Sequence, residues 1–235
     1  MPTSPDGFDQ RLNSLKAGLV QQGSRVSDLL EVAFNAVFRR DPAAAATVPS
    51  LDDEVDRVDV EIEKRAVQLL TDATHENAKL RPDQLRAVLT IVKVNNEIER
   101  IADCGVSIAE RVETMAPLHG EIPETFRVMA NSILGIMRDV GRAFDRHDAS
   151  LAKVVLQSEH TIESFRAAIL QDAERRIASR TMTVEFAFAL HEIANECCKM
   201  ADHCTNIAEQ IIYSATGAIV RHMEGKWVEV GQRGG

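Results

Sequence analysis

Acidic side chains at helical spacing are the first residues in this sequence that could do chemistry. Between residues 52 and 63, seven of twelve positions are Asp or Glu. Asp52, Asp56, Asp59 and Glu63 follow one another at steps of four, three and four, so they share one face of a helix. Like charges one turn apart repel each other, so this stripe favours a bound cation or basic neighbours. The alternative is a solvated acidic helix start, which the helix dipole stabilises.

A second acidic pair lies further along the chain. Glu99 and Asp103 are one helical turn apart and border the apolar face marked by Ile98 and Ile101. Carboxylates from two neighbouring helices that face each other form an all-oxygen site suited to a divalent ion. The alternative is a surface acidic pair neutralised by Arg100.

The elements that must position these pairs occur twice in the chain. A shift of 107 residues places Asp52 and Asp56 on Glu159 and Glu163. After a shorter loop the shift becomes 99, and Asp103 then falls on Asp202. In the second copy, Cys198 takes the position of Glu99, and Asn206 and Glu209 follow Asp202 at near-helical steps. The sequence therefore predicts two copies of a three-helix unit that share a core.

Composition sets the fold class and the domain boundaries. Apolar residues make up 45% of the 235 residues and aromatic residues only 4%, which favours helices packed through small aliphatic side chains. We predict an all-α protein of six long helices in two tandem three-helix bundles. The repeats are predicted to span residues 1–117 and 118–222, followed by a loose tail over 223–235. Between Pro42 and Pro49, either the second helix starts at Ser50 or a short helical turn of alanines precedes it.

The charge and apolar patterns exclude several kinds of partner. A formal net charge of −9 argues against nucleic-acid binding, which needs basic patches. No apolar stretch approaches the roughly 18 residues of a membrane span, so direct membrane insertion is not expected. The first residues lack the pattern of a secretory signal, and the four cysteines are expected to be free thiols. The expected location is the cytoplasm.

Known catalytic patterns are incomplete in this sequence. None of the seven histidines has Glu three residues earlier, as a di-iron bundle enzyme requires. The segment from His191 carries Asn195 where a zinc-protease motif needs its second histidine. We therefore predict a protein that is not an enzyme, with a carboxylate-metal enzyme as an alternative from another class.

Three segments of the chain resemble one known family. The segment Asp83–Asp103 resembles the third-helix signature of the PhoU family of phosphate-signalling proteins. Lys199–Glu209 resembles the same signature in that family's second repeat, and Tyr213–Gly217 with His222 resembles its C-terminal ending. The resemblance extends over nearly the whole chain, from about Phe8 to His222.

The resemblance implies a fold, a function and partners. PhoU-like proteins consist of two three-helix repeats, are often dimeric and have no known catalytic activity. The resemblance implies a homodimeric cytoplasmic negative regulator that restrains phosphate uptake and links a phosphate ABC transporter to a sensor histidine kinase. The alternative is a relative that serves a different phosphate transporter or a cation channel.

The resemblance also implies bound metal ions, which could be Fe, Zn, Mg or Mn. Its metal motifs correspond here to four pairs: Asp52/Asp56, Glu99/Asp103, Glu159/Glu163 and Cys198/Asp202, with Asn206 as a further candidate. Cys198 replaces the usual Glu and Lys199 the usual Arg, so we expect an ion at Glu99/Asp103 to bind more firmly than one at Cys198/Asp202. Alternatively, Cys198 keeps the second site and favours zinc or iron over magnesium.

Overall fold

Helices build almost all of the structure, a computed structural model that describes residues 5–223 and 226–230. They are α1 (Pro5–Arg39), α2 (Pro42–Ala45), α3 (Val48–His75), α4 (Pro82–Met115), α5 (Glu124–Arg146), α6 (Ala149–Val155), α7 (Ser158–Ala178) and α8 (Val184–Thr216). Six of the eight are long, and α2 and α6 are short. The predicted all-α class with six long helices in two tandem bundles is confirmed. The repeat boundaries at residue 117 and residue 222 stay a prediction.

The two short helices occupy equivalent places in the two repeats. Asp41 accepts hydrogen bonds from the amides of Ala43 and Ala44 and so caps α2. Asp148 caps α6 in the same way, and it lies 107 residues after Asp41. Such caps satisfy amides that have no partner in the first helical turn. Of the two alternatives left open before Pro49, the short helical turn is therefore the correct one.

The centre of the molecule is the contact between α4 and α8. These helices are antiparallel, because Glu97 of α4 contacts His203 of α8 at 2.7 Å, while Arg111 contacts Glu192 at 3.2 Å. In the first repeat α1 and α3 pack on α4, and in the second α5, α6 and α7 pack on α8. The third helix of each unit thus forms the interface between the repeats.

Small side chains let the central helices approach their neighbours closely. Gly105 of α4 faces Leu29 and Leu30 of α1, and a Cβ added there would collide with their methyl groups. Among the largest fully buried side chains only Phe8, Phe126 and Phe186 are aromatic, and the others are Leu and Ile. The low aromatic content therefore corresponds to a core filled by aliphatic side chains.

A two-stranded ribbon corrects one expectation from the sequence. Strands β1 (Ile219–Met223) and β2 (Lys226–Val230) pair antiparallel, with Ile219 opposite Val230. The predicted loose tail is therefore wrong over residues 226–230, while residues 224–225 and 231–235 lie outside the described part of the chain. The physical reason is tethering: β1 follows α8 directly, and its Arg221 forms an ion pair with Glu209 of α8. Of the helices described, none is both long enough and apolar enough to cross a bilayer.

Candidate functional site

The acidic residues of the first repeat meet along the contact between α3 and α4. Because these helices are antiparallel neighbours, the stripe that begins at Asp52 runs beside the pair Glu99 and Asp103. The charges of Asp56 and Asp103 act on Asp52, and that of Asp56 acts on Glu99. The structure thus brings together all four residues that the sequence predicted for this repeat. We call Asp52, Asp56, Asp59, Glu99 and Asp103 the first cluster.

Carboxyl groups in the first cluster hold their protons more tightly than isolated ones. Burial, together with the charges of Asp56, Asp103 and Asp53, raises the pKa of Asp52 from 3.8 to about 6. Burial also raises the pKa values of Glu99 and Asp103, and neighbouring carboxylates add to both shifts. The cause is partial loss of hydration combined with like charge, and a cation would relieve both.

One oxygen of the first cluster lacks a hydrogen-bond partner. Oδ1 of Asp52 is buried and accepts no hydrogen bond within the described residues. A buried carboxylate oxygen without a donor is costly, so the position favours a ligand that can accept its lone pairs. With only oxygen donors around it, the first cluster fits a hard or intermediate divalent ion.

The second repeat assembles its predicted residues as well. The charges of Glu159 and Glu163 of α7 act on Asp202 of α8, and burial, assisted by these charges, raises the pKa of Asp202. Burial and a contact with Glu163 raise the pKa of the Cys198 thiol to about 12. Since the thiolate is the form that binds metal, Cys198 is poorly prepared to act as a ligand at neutral pH.

Arg166 separates the two clusters, and the sequence analysis missed it. Its guanidinium donates to Glu163 at 2.6 Å and to the Asn195 side chain at 3.1 Å. A shift of 107 residues places Arg166 on Asp59, so the second repeat has a cation where the first has a carboxylate. Continuing the repeat alignment by three residues beyond Glu163 would have found it. The second cluster is therefore partly neutralised by its own chain.

Asn206 contributes to a different contact from the one predicted. Its Nδ2 donates to Oε2 of Glu97 at 3.1 Å, and Nδ1 of His203 lies 2.7 Å from the same oxygen. Glu97 belongs to the first repeat and the other two residues belong to the second. Asn206 thus joins the repeats.

An acidic cleft lies beside this contact between the repeats. It encloses about 800 Å³ and is bordered by α3, α4, α8 and β1. Asp59 and Glu63 line one side, and Glu159, Asp202 and Glu209 also border it. Within the described residues, however, no three His, Cys, Asp or Glu side chains are already arranged as a set of metal ligands. A metal ion would therefore require the carboxylates to turn towards it.

The fold and these clusters define a class of protein before any comparison is made. It is a tandem repeat of antiparallel three-helix units, joined through their third helices, with a carboxylate cluster in each unit. The sequence profile described as the PhoU domain matches the chain twice, over residues 19–112 and 126–211. These matches cover well over half of the sequence, and the chain belongs to the PhoU family.

Relatives and solved structures match over most of their lengths. The phosphate-specific transport system accessory protein PhoU homolog 1 of Thermotoga maritima is 28% identical over 231 residues, which cover 97% of this chain and 96% of that protein. The PhoU homolog of Pseudomonas putida is 28% identical over 92% of this chain and 83% of its own length.

Two crystal structures share the fold. The phosphate transport system regulatory protein PhoU from Streptococcus pneumoniae superposes with a TM-score of 0.82 at 23% identity, covering 91% of this chain and 99% of its own. PhoU from Pseudomonas aeruginosa gives a TM-score of 0.80 at 22% identity, covering 89% and 99%. At this level of identity the superpositions establish the fold alone.

Proposed function

We propose that this protein is a non-enzymatic cytoplasmic regulator of phosphate uptake and of the phosphate-starvation response. In this proposal it links a phosphate ABC transporter to a sensor histidine kinase. The observation that carries the proposal is the match over 96% of a protein named as an accessory of phosphate-specific transport. Because both repeats match the PhoU domain, the likeness includes the whole duplicated architecture and is not confined to one motif.

A regulator that performs no chemistry acts by binding two states of its partner with different affinities. The repeats meet through polar contacts at Glu97, which join two units that each have their own core. Such a contact supports a small change in the angle between the repeats as the response to a partner. The acidic cleft borders the same contact, so a change in that angle alters its width.

The first cluster supports the metal-binding part of the proposal. Asp52, Asp56, Glu99 and Asp103 would hold a divalent ion, and Asp59 would add a fifth carboxylate. A bound ion would supply positive charge that offsets the repulsion between these groups. In this protein the role of the ion is structural, because it would fasten α3 to α4 and leave the second repeat unaffected.

A deletion strain tests the regulatory proposal directly. We expect loss of the gene to give constitutive expression of a phosphate-starvation reporter in phosphate-rich medium, and the wild-type gene on a plasmid to restore repression. Normal repression in the deletion strain would overturn the proposal. Measuring phosphate uptake in the same strains separates the alternatives, because a regulator of another transporter or of a cation channel would leave phosphate uptake unchanged.

A further inference from the structure

A groove runs between α1 and α5, the first helices of the two repeats. The helices are antiparallel: Lys16 contacts His147 at one end, and the ring of Phe34 lies 6.4 Å from that of Phe126 at the other. Two adjoining cavities of about 310 and 430 Å³ share Glu31, Leu134 and Arg138 and so form one groove. No residue that lines it also lines the acidic cleft.

The groove has an apolar floor that a second helix could cover. Phe34 and Met137 are buried beneath it, and Val20 and Leu134 are half-buried along it. Gly141 also lines the groove, and a Cβ added there would meet no atom of the described chain within 4 Å. Glycine inside a helix costs about 1 kcal/mol relative to alanine. Nothing within the chain requires it here, whereas a closely approaching backbone would.

The two rims of the groove carry opposite charges. Asp28 and Glu31 are exposed on the α1 rim, and Arg138 and Arg142 are exposed on the α5 rim. Asp28, Glu31 and Arg138 form no ion pair with any residue in the described part of the chain, including one another. Asp145, near the end marked by His147, is the acidic exception on the α5 rim.

We propose that this groove is the interface of a homodimer and that its occupant is a second copy of this chain. A twofold axis along the groove places α1 of one copy over α5 of the other at the same level. Glu31 and Asp28 then face Arg138 of the second copy, and symmetry repeats the contact. The apolar floors meet between the charged rims, and the four helices form a bundle.

Self-complementarity is the reason to choose a second copy as the occupant. A partner helix of one charge sign would satisfy one rim and be repelled by the other, whereas the twofold arrangement pairs both rims. The resemblance implies a dimer without naming a surface, and the proposal assigns one. It is independent of the regulatory role, since the oligomeric state is measured on the purified protein alone.

Charge reversal and its rescue test the proposal. We expect the full-length wild-type chain to sediment as a dimer in analytical ultracentrifugation. Glu31→Arg and Arg138→Glu, each alone, should weaken the dimer about tenfold, because two symmetric attractions become repulsions. The double variant should recover most of the affinity. The exposed Glu174→Arg on α7 is the matched control and should dimerise like wild type.

Two results would overturn the proposal. One is a wild-type chain that stays monomeric at every concentration tested. The other is a dimer that neither reversal weakens, which would place the interface elsewhere. Circular dichroism of each variant confirms that the helices are intact, so a loss of dimer cannot be mistaken for unfolding.

Discussion

Oε2 of Glu97 lies 2.7 Å from Nδ1 of His203 and thereby joins the first repeat to the second. The repeat shift of 99 residues relates Glu97 to Glu196 and His203 to Cys104. Glu196 in turn contacts Cys104, and burial together with this contact raises the pKa of the Cys104 thiol to about 12. The same cross-repeat contact is therefore made twice, once with a histidine and once with a buried thiol.

Replacing Glu97 should loosen the contact between the repeats. Burial alone would raise the pKa of Glu97, but hydrogen bonds from His203 and Asn206 outweigh it and hold the pKa below its usual value. Glu97→Gln should lower the free energy of unfolding by about 1 kcal/mol in urea denaturation at pH 7, since charge-assisted bonds are lost.

The pH dependence distinguishes this effect from a packing defect. A carboxylate with a depressed pKa stabilises the fold above its unfolded value, and this contribution is lost as the pH falls through the folded pKa. The difference between wild type and Glu97→Gln should therefore shrink below about pH 4. Glu113→Gln, an exposed control on α4, should match wild type throughout. A constant difference at every pH would contradict the interpretation.

Asp52 should destabilise the metal-free protein as the pH rises. Its folded pKa of about 6 exceeds its ordinary 3.8, so the native state binds more protons between these values and stability falls with increasing pH. In EDTA, Asp52→Asn should be more stable than wild type at pH 7.5 by about 1 kcal/mol, allowing for solvent screening. At pH 3.5 the two should be alike. A destabilised Asp52→Asn protein at pH 7.5 would show that the carboxylate is stabilising.

The two clusters should differ in metal binding. Because the first is all acidic and the second contains Arg166, Asp103→Asn should lower the manganese or zinc content of the purified protein more than Asp202→Asn does. Elemental analysis of both variants after identical loading measures this. Equal losses from the two variants would refute the difference between the clusters.

Arg166→Asp tests the cause of that difference. It places in the second repeat the acidic residue that the first repeat has at Asp59, and it removes the cation bound to Glu163. We expect divalent ions to bind the second cluster about tenfold more tightly than in wild type, as measured by isothermal titration calorimetry. Arg175→Asp, an exposed substitution on α7, is the control. No gain in affinity would assign the weakness of the second cluster to Cys198.

The close approach of α1 and α4 at Gly105 gives a prediction about the fold. Gly105→Ala would force a methyl group against the buried Leu29 and Leu30, so we expect a loss of about 1–3 kcal/mol in thermal or urea unfolding. Gly135→Ala has free space around it and should gain up to about 1 kcal/mol. Stability gains at both positions would contradict the packing described.

Much of the fold could be read from residue spacing. Pro82 starts α4, and Asp41 and Asp148 cap the short helices, because these signals act within one helical turn. The repeat shifts could be found because duplicated helices keep the same faces buried. The acidic pairs of the first cluster followed from the same periodicity. The ribbon was missed because its tether to Glu209 joins residues twelve apart, and no local pattern specifies that bond.

The sequence by itself determined which side chains share a face of each helix, since a turn of 3.6 residues fixes those faces locally. The spacing of Asp52 and Asp56, and of Glu99 and Asp103, belongs to this level. Which faces meet is decided only when helices pack, because that depends on the shapes of distant surfaces. The tertiary structure alone therefore placed Glu97 against His203, put Arg166 beside Glu163, and left the charged rims of the groove unpaired.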